Sequence, residues 1–321
     1  MDKIYLGIDI GGTAVKMGFL TEKGEFLETM DAPVAFDGYE TPILQTVKKE
    51  AAGFLERFAA EHPEEAARLS AAGVSATGQI DTEKGIVTGA ADHIQNWLGS
   101  RIADELEEVL KVPVRVGNDA NCAALGEYWI GAARGESDVI AFTVGTGVGG
   151  GIITGGRLLL GAHGIGGELG HMVIRGGGER CSCGNHGCLE RYGSTNALIR
   201  MVTEGVESGR IPRFSDEING RTIFTALQEN GNQGPLAKTL QQWMTYLADG
   251  LVGLVHIFNP SMILIGGGVS AQEELFIRPL EKMVTDRVMP SFREGLRIEK
   301  ASLGNKAGMA GAVYLCLTQS L

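Results

Sequence analysis

The chain carries the same local pattern twice: an apolar run, a turn of glycine and threonine, and a second apolar run. The first copy spans 4–20 around a Gly-Gly-Thr turn, and the second spans 138–153 around a glycine-rich turn at 145–151. Two strands joined in this way form a hairpin whose bare backbone amides can face a phosphate. A glycine hairpin needs no ligand, so one copy alone leaves phosphate binding open. One copy in each half indicates two duplicated domains that grip one phosphate chain.

Strands come first in the chain and then alternate with helical patterns, which predicts an α/β arrangement. Apolar spacing predicts helices over 39–61, 100–111, 194–205, 222–230, 235–258 and 306–317, with two more ending at 129 and starting near 271. The second glycine turn is not a dinucleotide-binding motif, because a strand and not a helix follows it. It also lacks the Lys of a P-loop.

A cluster of thiols and one imidazole follows the spacing His-x9-Cys-x-Cys-x4-Cys. Its members are His171, Cys181, Cys183 and Cys188. Thiolate sulfur and imidazole nitrogen are the ligands that Zn²⁺ takes in a closed tetrahedral site. The alternative is a group of buried free thiols beside an ordinary histidine. We interpret the cluster as a structural zinc loop, which would also fix the flanking carboxylates of Glu168 and Glu190.

Two further segments offer polar or bare backbone at the ends of predicted strands. Asn118 and Asp119 follow the strand 114–116, and ligands gather at the carboxyl ends of strands in open α/β sheets. Asp119 could accept a proton from a substrate hydroxyl, while Asn and Asp are also favoured helix N-caps, and both roles can hold. The turn 266–268 either lets a nucleoside ring lie on its backbone or is simply a tight loop.

Composition excludes several classes of protein. A chain of 321 residues has room for two domains at about 150 residues each. Its net charge of −11 argues against nucleic-acid binding, which needs a basic surface. No signal peptide and no apolar run of about 20 residues is visible, so we expect a cytoplasmic protein without a membrane partner. Cys122 and Cys316 lie in apolar helical patterns and are expected to be small core residues.

The motifs together resemble the ROK family of bacterial sugar kinases and related repressors, within the actin-like/hexokinase ATPase superfamily. They are DIGGT at 9–13, NDAN at 118–121, TVGTGVGGG at 143–151, GELGH at 167–171, CSCGNHGCLE at 181–190 and IGGG at 265–268. The resemblance implies an α/β, two-domain actin-like ATPase (ribonuclease H-like) fold with an interdomain active-site cleft. Residues 1–117 and the terminal helix 305–321 would form the small domain, and 118–304, with zinc loop 171–190, the large one.

The resemblance also implies the activity: ATP-dependent phosphorylation of a hexose at its 6-hydroxyl, with Mg²⁺ and a structural Zn²⁺. Asp119 would be the general base. The expected sugar contacts are Asn118, Asp119, Glu168, His171, Glu190, Gly78 and Asn96. The residues expected to face the ATP phosphates, Mg²⁺ and adenosine are Asp9, Gly11, Gly12, Thr13, Thr146, Gly147, Gly149, Gly150, Gly267 and Gly268.

The sugar is the open point of this interpretation. Glucose is the first choice because it is the commonest substrate among similar zinc-loop kinases, and fructose, N-acetylmannosamine, allose and β-glucosides are the alternatives. The segment 91–97 is expected to line the sugar site, with His93 either a specificity contact or a loop residue facing solvent. A non-catalytic sugar sensor or transcriptional repressor is the alternative of another class, but such repressors carry a helix-turn-helix before the first hairpin. The resemblance suggests a homodimer or homotetramer.

Overall fold

The structure is a computed structural model that describes residues 2–34, 37–89 and 94–318. The chain forms two compact units. Unit 1 comprises Met1–Gly135, Leu158–Gly167 and Ser302–Leu321, and unit 2 comprises Glu136–Arg157 and Glu168–Ala301. The first division of the chain therefore falls after Gly135, later than the expected boundary at residue 117.

The strands are β1 (Ile4–Ile10), β2 (Ala14–Thr21), β3 (Phe26–Pro33), β4 (Leu69–Ala76), β5 (Gln79–Asp81), β6 (Ile86–Gly89), β7 (Val114–Asn118), β8 (Val139–Val144), β9 (Val148–Thr154), β10 (Arg157–Leu158), β11 (Met262–Gly266) and β12 (Arg297–Lys300). The α-helices are α1 (Ile43–Glu61), α2 (Pro63–Ala66), α3 (Ile102–Leu110), α4 (Asp119–Trp129), α5 (Glu190–Gly193), α6 (Thr195–Glu207), α7 (Gly220–Glu229), α8 (Gly234–Phe258), α9 (Arg278–Arg287) and α10 (Ala307–Thr318). The helices expected from apolar spacing are present, with ends shifted by a few residues.

Two of these shifts have a proline as their cause. Helix α1 begins at Ile43 and not at residue 39, because Pro42 has an extended backbone at its N-cap. The helix expected from residue 271 is instead a π-helical segment, Glu273–Ile277, followed by α9 with Pro279 in its first turn. Proline has no amide hydrogen, so the regular helical ladder restarts beside it. The short strands β5, β6, β10 and β12 were not predicted.

Each unit is built on a mixed sheet of the same design. The sheet of unit 1 has the order β3-β2-β1-β4-β7, with β1 antiparallel to β2 and parallel to β4. The sheet of unit 2 has the order β10-β9-β8-β11-β12, with β8 antiparallel to β9 and parallel to β11. A glycine-turn hairpin thus lies beside parallel strands in both units, which confirms the predicted internal duplication.

Helix α10 packs closely against the sheet and α4 inside unit 1, and this packing explains why residues 118–135 belong to unit 1. Glycines make the approach possible: a Cβ at Gly73 of β4 would overlap the carbonyl of Ala312, and one at Gly311 would overlap the carbonyl of Cys122. Cys122 and Cys316 are both buried in this region, as predicted. Within the described ranges, no helix is both long enough and apolar enough to cross a bilayer.

Replacing Gly311 by Ala is expected to destabilise the protein by about 3 kcal/mol, because the new methyl group displaces backbone and not a flexible side chain. Gly253→Ala in α8 is the matched control, since a Cβ there meets nothing within 4 Å. That variant should be unchanged or gain up to ~1 kcal/mol from helix propensity. Urea unfolding followed by tryptophan fluorescence separates the two. Equal midpoints for both variants would contradict the close packing of α10.

Candidate functional site

Three parallel strands of unit 1 end at one edge of the sheet and bring polar side chains together there. The register pairs Asp9 of β1 with Ser75 of β4, and Ala76 of β4 with Asn118 of β7. Thr77 directly follows β4 at the same edge. The DIGGT and NDAN motifs, 105 residues apart at their last Thr and first Asn, therefore meet at one strand-end cluster.

Asp119 opens helix α4, and hydrogen bonds hold both of its carboxylate oxygens. Oδ1 accepts from the Ala120 N–H at 2.8 Å and from Asn118 Nδ2 at 3.0 Å. Oδ2 accepts from the Thr77 hydroxyl at 3.2 Å. The N-cap is Asn118, whose Oδ1 accepts from the Asn121 N–H at 3.1 Å. Asn118 therefore caps the helix. Capping does not explain why the Asp119 carboxylate is held in one orientation.

The other expected sugar contacts of unit 1 lie around the same turn. Asn118 Nδ2 also donates to the Gly78 carbonyl at 2.9 Å, so both amide hydrogens of Asn118 are used within the protein. Gly78 has φ +101°, a conformation that favours glycine. Asn96 is exposed and precedes Trp97, whose indole N–H donates to the Thr77 carbonyl at 2.8 Å. His93 lies outside the described residues.

Asp9 is mostly enclosed at the end of β1. The Ser75 hydroxyl donates to its Oδ1 at 2.6 Å, and Gly308 of α10 leaves space beside its carboxyl group. Burial raises the pKa of Asp9 above its ordinary value, while the Ser75 hydrogen bond and the charge of Lys16 act in the opposite direction. A divalent cation nearby would favour the ionised form, and carboxylate oxygen is a ligand that Mg²⁺ accepts.

The turn that follows Asp9 is held by contacts that the sequence did not predict. The Gly11 N–H donates to the Ala14 carbonyl at 3.0 Å, and the Tyr39 hydroxyl donates to the Gly12 carbonyl at 2.8 Å. The Thr13 carbonyl accepts from the Val34 N–H at 2.9 Å. The β1–β2 hairpin predicted from the sequence is therefore present, and its turn is braced from the segment after β3.

In unit 2, the zinc-loop residues converge. The ligand atoms of His171, Cys181, Cys183 and Cys188 all lie within 4.8 Å of one another. Cys181 Sγ is 3.6 Å from His171 Nδ1, and Cys183 Sγ is 3.6 Å from Cys188 Sγ. Zn–S bonds of about 2.3 Å in a tetrahedron put two sulfurs about 3.8 Å apart, so the spacing suits zinc. The distance between the Cys183 and Cys188 sulfurs is too long for a disulfide, whose S–S bond is about 2.0 Å.

The loop leads directly from Cys188 into α5, whose first residue is Glu190. Glu190 Oε2 accepts from the Val148 N–H at 3.0 Å, at the start of β9. The other carboxylate, Glu168, is exposed and immediately precedes a 3-10 turn, Leu169–His171. His171 follows Glu168 by three residues and Cys188 precedes Glu190 by two, so an ion held by the cluster would restrain the chain beside each carboxylate.

The second glycine turn is shorter than expected, because β9 already begins at Val148. Gly149 and Gly150 consequently lie in a strand and not in the turn. A Cβ at Gly147 would overlap the Glu190 carboxylate, and one at Gly150 would overlap Leu169 and approach the Ala141 carbonyl to 2.6 Å. The backbone contact requires glycine at Gly150, so phosphate binding is not needed to explain that residue, whereas the Glu190 side chain can move away from a Cβ at Gly147.

A pocket of about 440 Å³ opens beside this turn, within unit 2. Thr146 and Gly268 line it, as do Asn196, Phe224 and Gln228. The N-termini of α6 and α7 point their first residues into the lining. Side chains already cap both helices: Ser194 Oγ accepts from the Ala197 N–H at 3.1 Å, and Asn219 Oδ1 accepts from the Thr222 N–H at 3.0 Å. Gly267, with φ +89°, lies against the Val144 carbonyl at the end of β8.

Sequence reasoning missed Ser75 and Thr77, which contact the two candidate acidic residues. The strand-end rule that selected Asp119 applies equally to the residues after β4, and it would have identified Thr77. The walls of the pocket on α6 and α7 carried no such signal, because they combine residues of two helices that a loop separates in sequence.

This chain is similar to known proteins over nearly its whole length. The model of the ROK family matches residues 5–319. A glucokinase of Halalkalibacterium halodurans is 33% identical over 323 residues, covering 99% of this chain and 96% of the relative. A β-glucoside kinase of Listeria innocua is 34% identical over 313 residues, covering 95% of each.

Among solved structures, a ROK family glucokinase from Streptomyces griseus in complex with glucose and AMPPNP matches with a TM-score of 0.80. The two chains are 32% identical, and the match covers 97% of this chain and 98% of that one. This likeness confirms the predicted α/β fold of the two-domain actin-like ATPase class.

Proposed function

The chain belongs to the ROK family, and on that premise we propose that it is an ATP-dependent sugar kinase that transfers the γ-phosphoryl group of ATP to the 6-hydroxyl of glucose. The observation that carries the proposal is the strand-end cluster, in which hydrogen bonds orient the carboxylate of Asp119 at the N-terminus of α4. The choice of glucose follows the glucokinase relative and the glucose-bound neighbour.

Asp119 acts as the general base. In phosphoryl transfer, catalysis comes mainly from positioning and from electrostatic stabilisation of the transferred group, with one residue accepting the proton of the attacking hydroxyl. Asn118 orients this carboxylate through Nδ2 and closes the N-terminus of the helix through Oδ1. Asn96 and Gly78 are the further sugar contacts that we propose for unit 1.

Mg²⁺ accompanies ATP and neutralises charge on its phosphates. Asp9 is the residue of unit 1 that we propose for this ion, with the turn residues Gly11, Gly12 and Thr13 facing the phosphates through their backbone. In unit 2 we propose that the pocket beside Thr146 takes the nucleoside, with Gly267 and Gly268 in its wall. The AMPPNP-bound neighbour supports a nucleotide ligand.

Zn²⁺ fits the three thiols and the imidazole of unit 2, and its contribution is to fix the loop geometry. His171 Nδ1 faces the thiols, which leaves Nε2 on the opposite edge of the ring for a sugar hydroxyl. Glu168 and Glu190 accept from sugar hydroxyls, since carboxylates are acceptors and hydroxyls are donors.

We infer from the resemblance to the ROK family that the kinase is a homodimer or homotetramer. Light scattering in solution tests this inference.

A β-glucoside is the second candidate substrate, because the Listeria relative is as similar to this chain as the glucokinase is. ADP release with Mg-ATP across glucose, fructose, N-acetylmannosamine, allose and cellobiose separates the candidates. We expect glucose to give the highest kcat/KM, at least about tenfold above the others, which a difference of about 1.4 kcal/mol in transition-state binding supplies. Preference for cellobiose would replace glucose by the β-glucoside, and silence across the panel would contradict the kinase.

A further inference from the structure

The two oxygens of the Asp119 carboxylate have neighbours of different hydrogen-bonding chemistry. Oδ1 accepts from the Ala120 N–H at 2.8 Å and from Asn118 Nδ2 at 3.0 Å. Both neighbours are N–H donors, and neither can accept a hydrogen from a protonated carboxyl group. Oδ2 instead contacts the hydroxyl of Thr77 at 3.2 Å, and a hydroxyl both donates and accepts. A proton placed on Oδ1 would weaken two hydrogen bonds, whereas a proton on Oδ2 keeps its partner.

The Thr77 hydroxyl has a second acceptor within reach. Thr77 Oγ1 lies 3.2 Å from the carbonyl oxygen of Ile10, the same distance as from Asp119 Oδ2. The hydroxyl carries one hydrogen, so the two acceptors compete for it. An ionised carboxylate is the stronger acceptor, and the hydrogen therefore points to Oδ2 while Asp119 is charged. Once Oδ2 is protonated, the hydroxyl can turn to the Ile10 carbonyl and accept the new O–H.

Hydrogen bonds of the Thr77 backbone hold this residue in place, independently of its hydroxyl group. The Thr77 carbonyl accepts from the indole N–H of Trp97 at 2.8 Å, and Trp97 is only 1% exposed. The Thr77 N–H donates to the Ile10 carbonyl at 3.3 Å. Removal of the hydroxyl alone leaves these anchors in place, so its chemical contribution can be separated from the fold.

We propose that Thr77 is a positioning residue that directs the proton of the sugar hydroxyl to Oδ2 of Asp119. The sugar O–H bond breaks, an H–Oδ2 bond forms, and the sugar oxygen uses its electron pair to bond the γ-phosphorus as ADP leaves with its own pair. Thr77 neither gains nor loses a proton: its hydroxyl reverses from donor to acceptor toward Oδ2. The inference rests on the proposed kinase function and adds which oxygen of the carboxylate is the basic one.

Thr77→Val tests the proposal, because valine keeps the shape of threonine and lacks the hydroxyl. We expect kcat to fall about 10- to 100-fold, the range for one hydrogen bond to a charged group. KM for glucose and for Mg-ATP should stay within about threefold, since the hydroxyl acts on the proton and not on binding. Thr77→Ser restores the hydroxyl and should restore kcat. Thr88→Val is the matched control: its exposed side chain donates to the Gln79 carbonyl at 3.3 Å in the β5–β6 hairpin and not to a carboxylate.

Asp119→Asn, assayed in parallel, separates this inference from the function on which it rests. Wild-type kcat for Thr77→Val, beside a kcat lowered at least about 100-fold in Asp119→Asn, overturns the role of Thr77 alone. A kcat within about tenfold of wild type in Asp119→Asn overturns the general-base function itself. A kcat that Thr77→Ser fails to restore, or a KM that rises as far as kcat falls, also overturns the proposal, because either result describes a packing role.

Discussion

Replacing Asp119 by Asn is expected to lower kcat about 10²- to 10⁴-fold, the range that general-base catalysis contributes. The amide is nearly isosteric with the carboxylate, so the substitution removes the base without opening a cavity. The amide oxygen of the asparagine can still accept from the Ala120 N–H, and its NH₂ group can donate to the Thr77 hydroxyl. Both of these hydrogen bonds of the side chain are therefore kept. Steady-state assays with glucose and Mg-ATP measure the loss.

The control for this variant is its fold. Circular dichroism, melting temperature and zinc content should match those of the wild type, because Asn118 and not residue 119 caps α4. KM should change little, since the carboxylate acts mainly by accepting the proton of the sugar hydroxyl in the transition state. Turnover within tenfold of wild type, with the sugar phosphorylated at the same hydroxyl, would show that Asp119 is not the base.

Replacing Cys183 by Ala is expected to abolish zinc binding and to lower activity about 10- to 100-fold. The loss is of this size because the zinc would act indirectly, by holding in place the residues that bind the sugar. Cys183 is the exposed member of the cluster, whereas Cys181 and Cys188 are buried. Its removal therefore leaves the core intact, and three ligands remain for an ion that structural sites bind with four. The loop between His171 and Glu190 then loses the restraint on both.

Cys316→Ala is the matched control, because Cys316 is a buried thiol of α10 outside the cluster. That variant should retain one zinc ion per chain and near-normal kcat. Metal content by mass spectrometry and activity are measured on the same preparations. Full activity of Cys183→Ala without bound metal would remove the zinc loop from the catalytic account, and retention of zinc would show that Cys183 is not a ligand.

Local pattern was sufficient to predict much of the fold. The glycine hairpins and the duplicated sheet follow from apolar runs interrupted by Gly and Thr, and the structure places Gly11 in such a turn. The zinc-loop spacing also predicted convergence, because short glycine-rich segments restrict where four ligands can go. These features depend on residues close in sequence, for which the physical constraints are local.

The remaining features depend on contacts between distant segments. Gly150 reads as part of a phosphate turn, yet it lies in β9, where Leu169 packs on it. The strand-end rule places Thr77 and Asp119 at one edge of the sheet, but it does not show that these residues, 42 positions apart, are in contact. The division after Gly135 likewise follows from α10 packing on α4, which no local pattern reveals.

The most direct test of the central claim is ³¹P NMR of the product formed from glucose, Mg-ATP and the full chain. We expect one new phosphomonoester signal coupled to the two hydrogens of carbon 6, growing with ADP and growing at least about 100-fold more slowly with Asp119→Asn. A phosphate on another hydroxyl would contradict the assigned geometry. Release of inorganic phosphate from ATP without any sugar phosphate would contradict the kinase function.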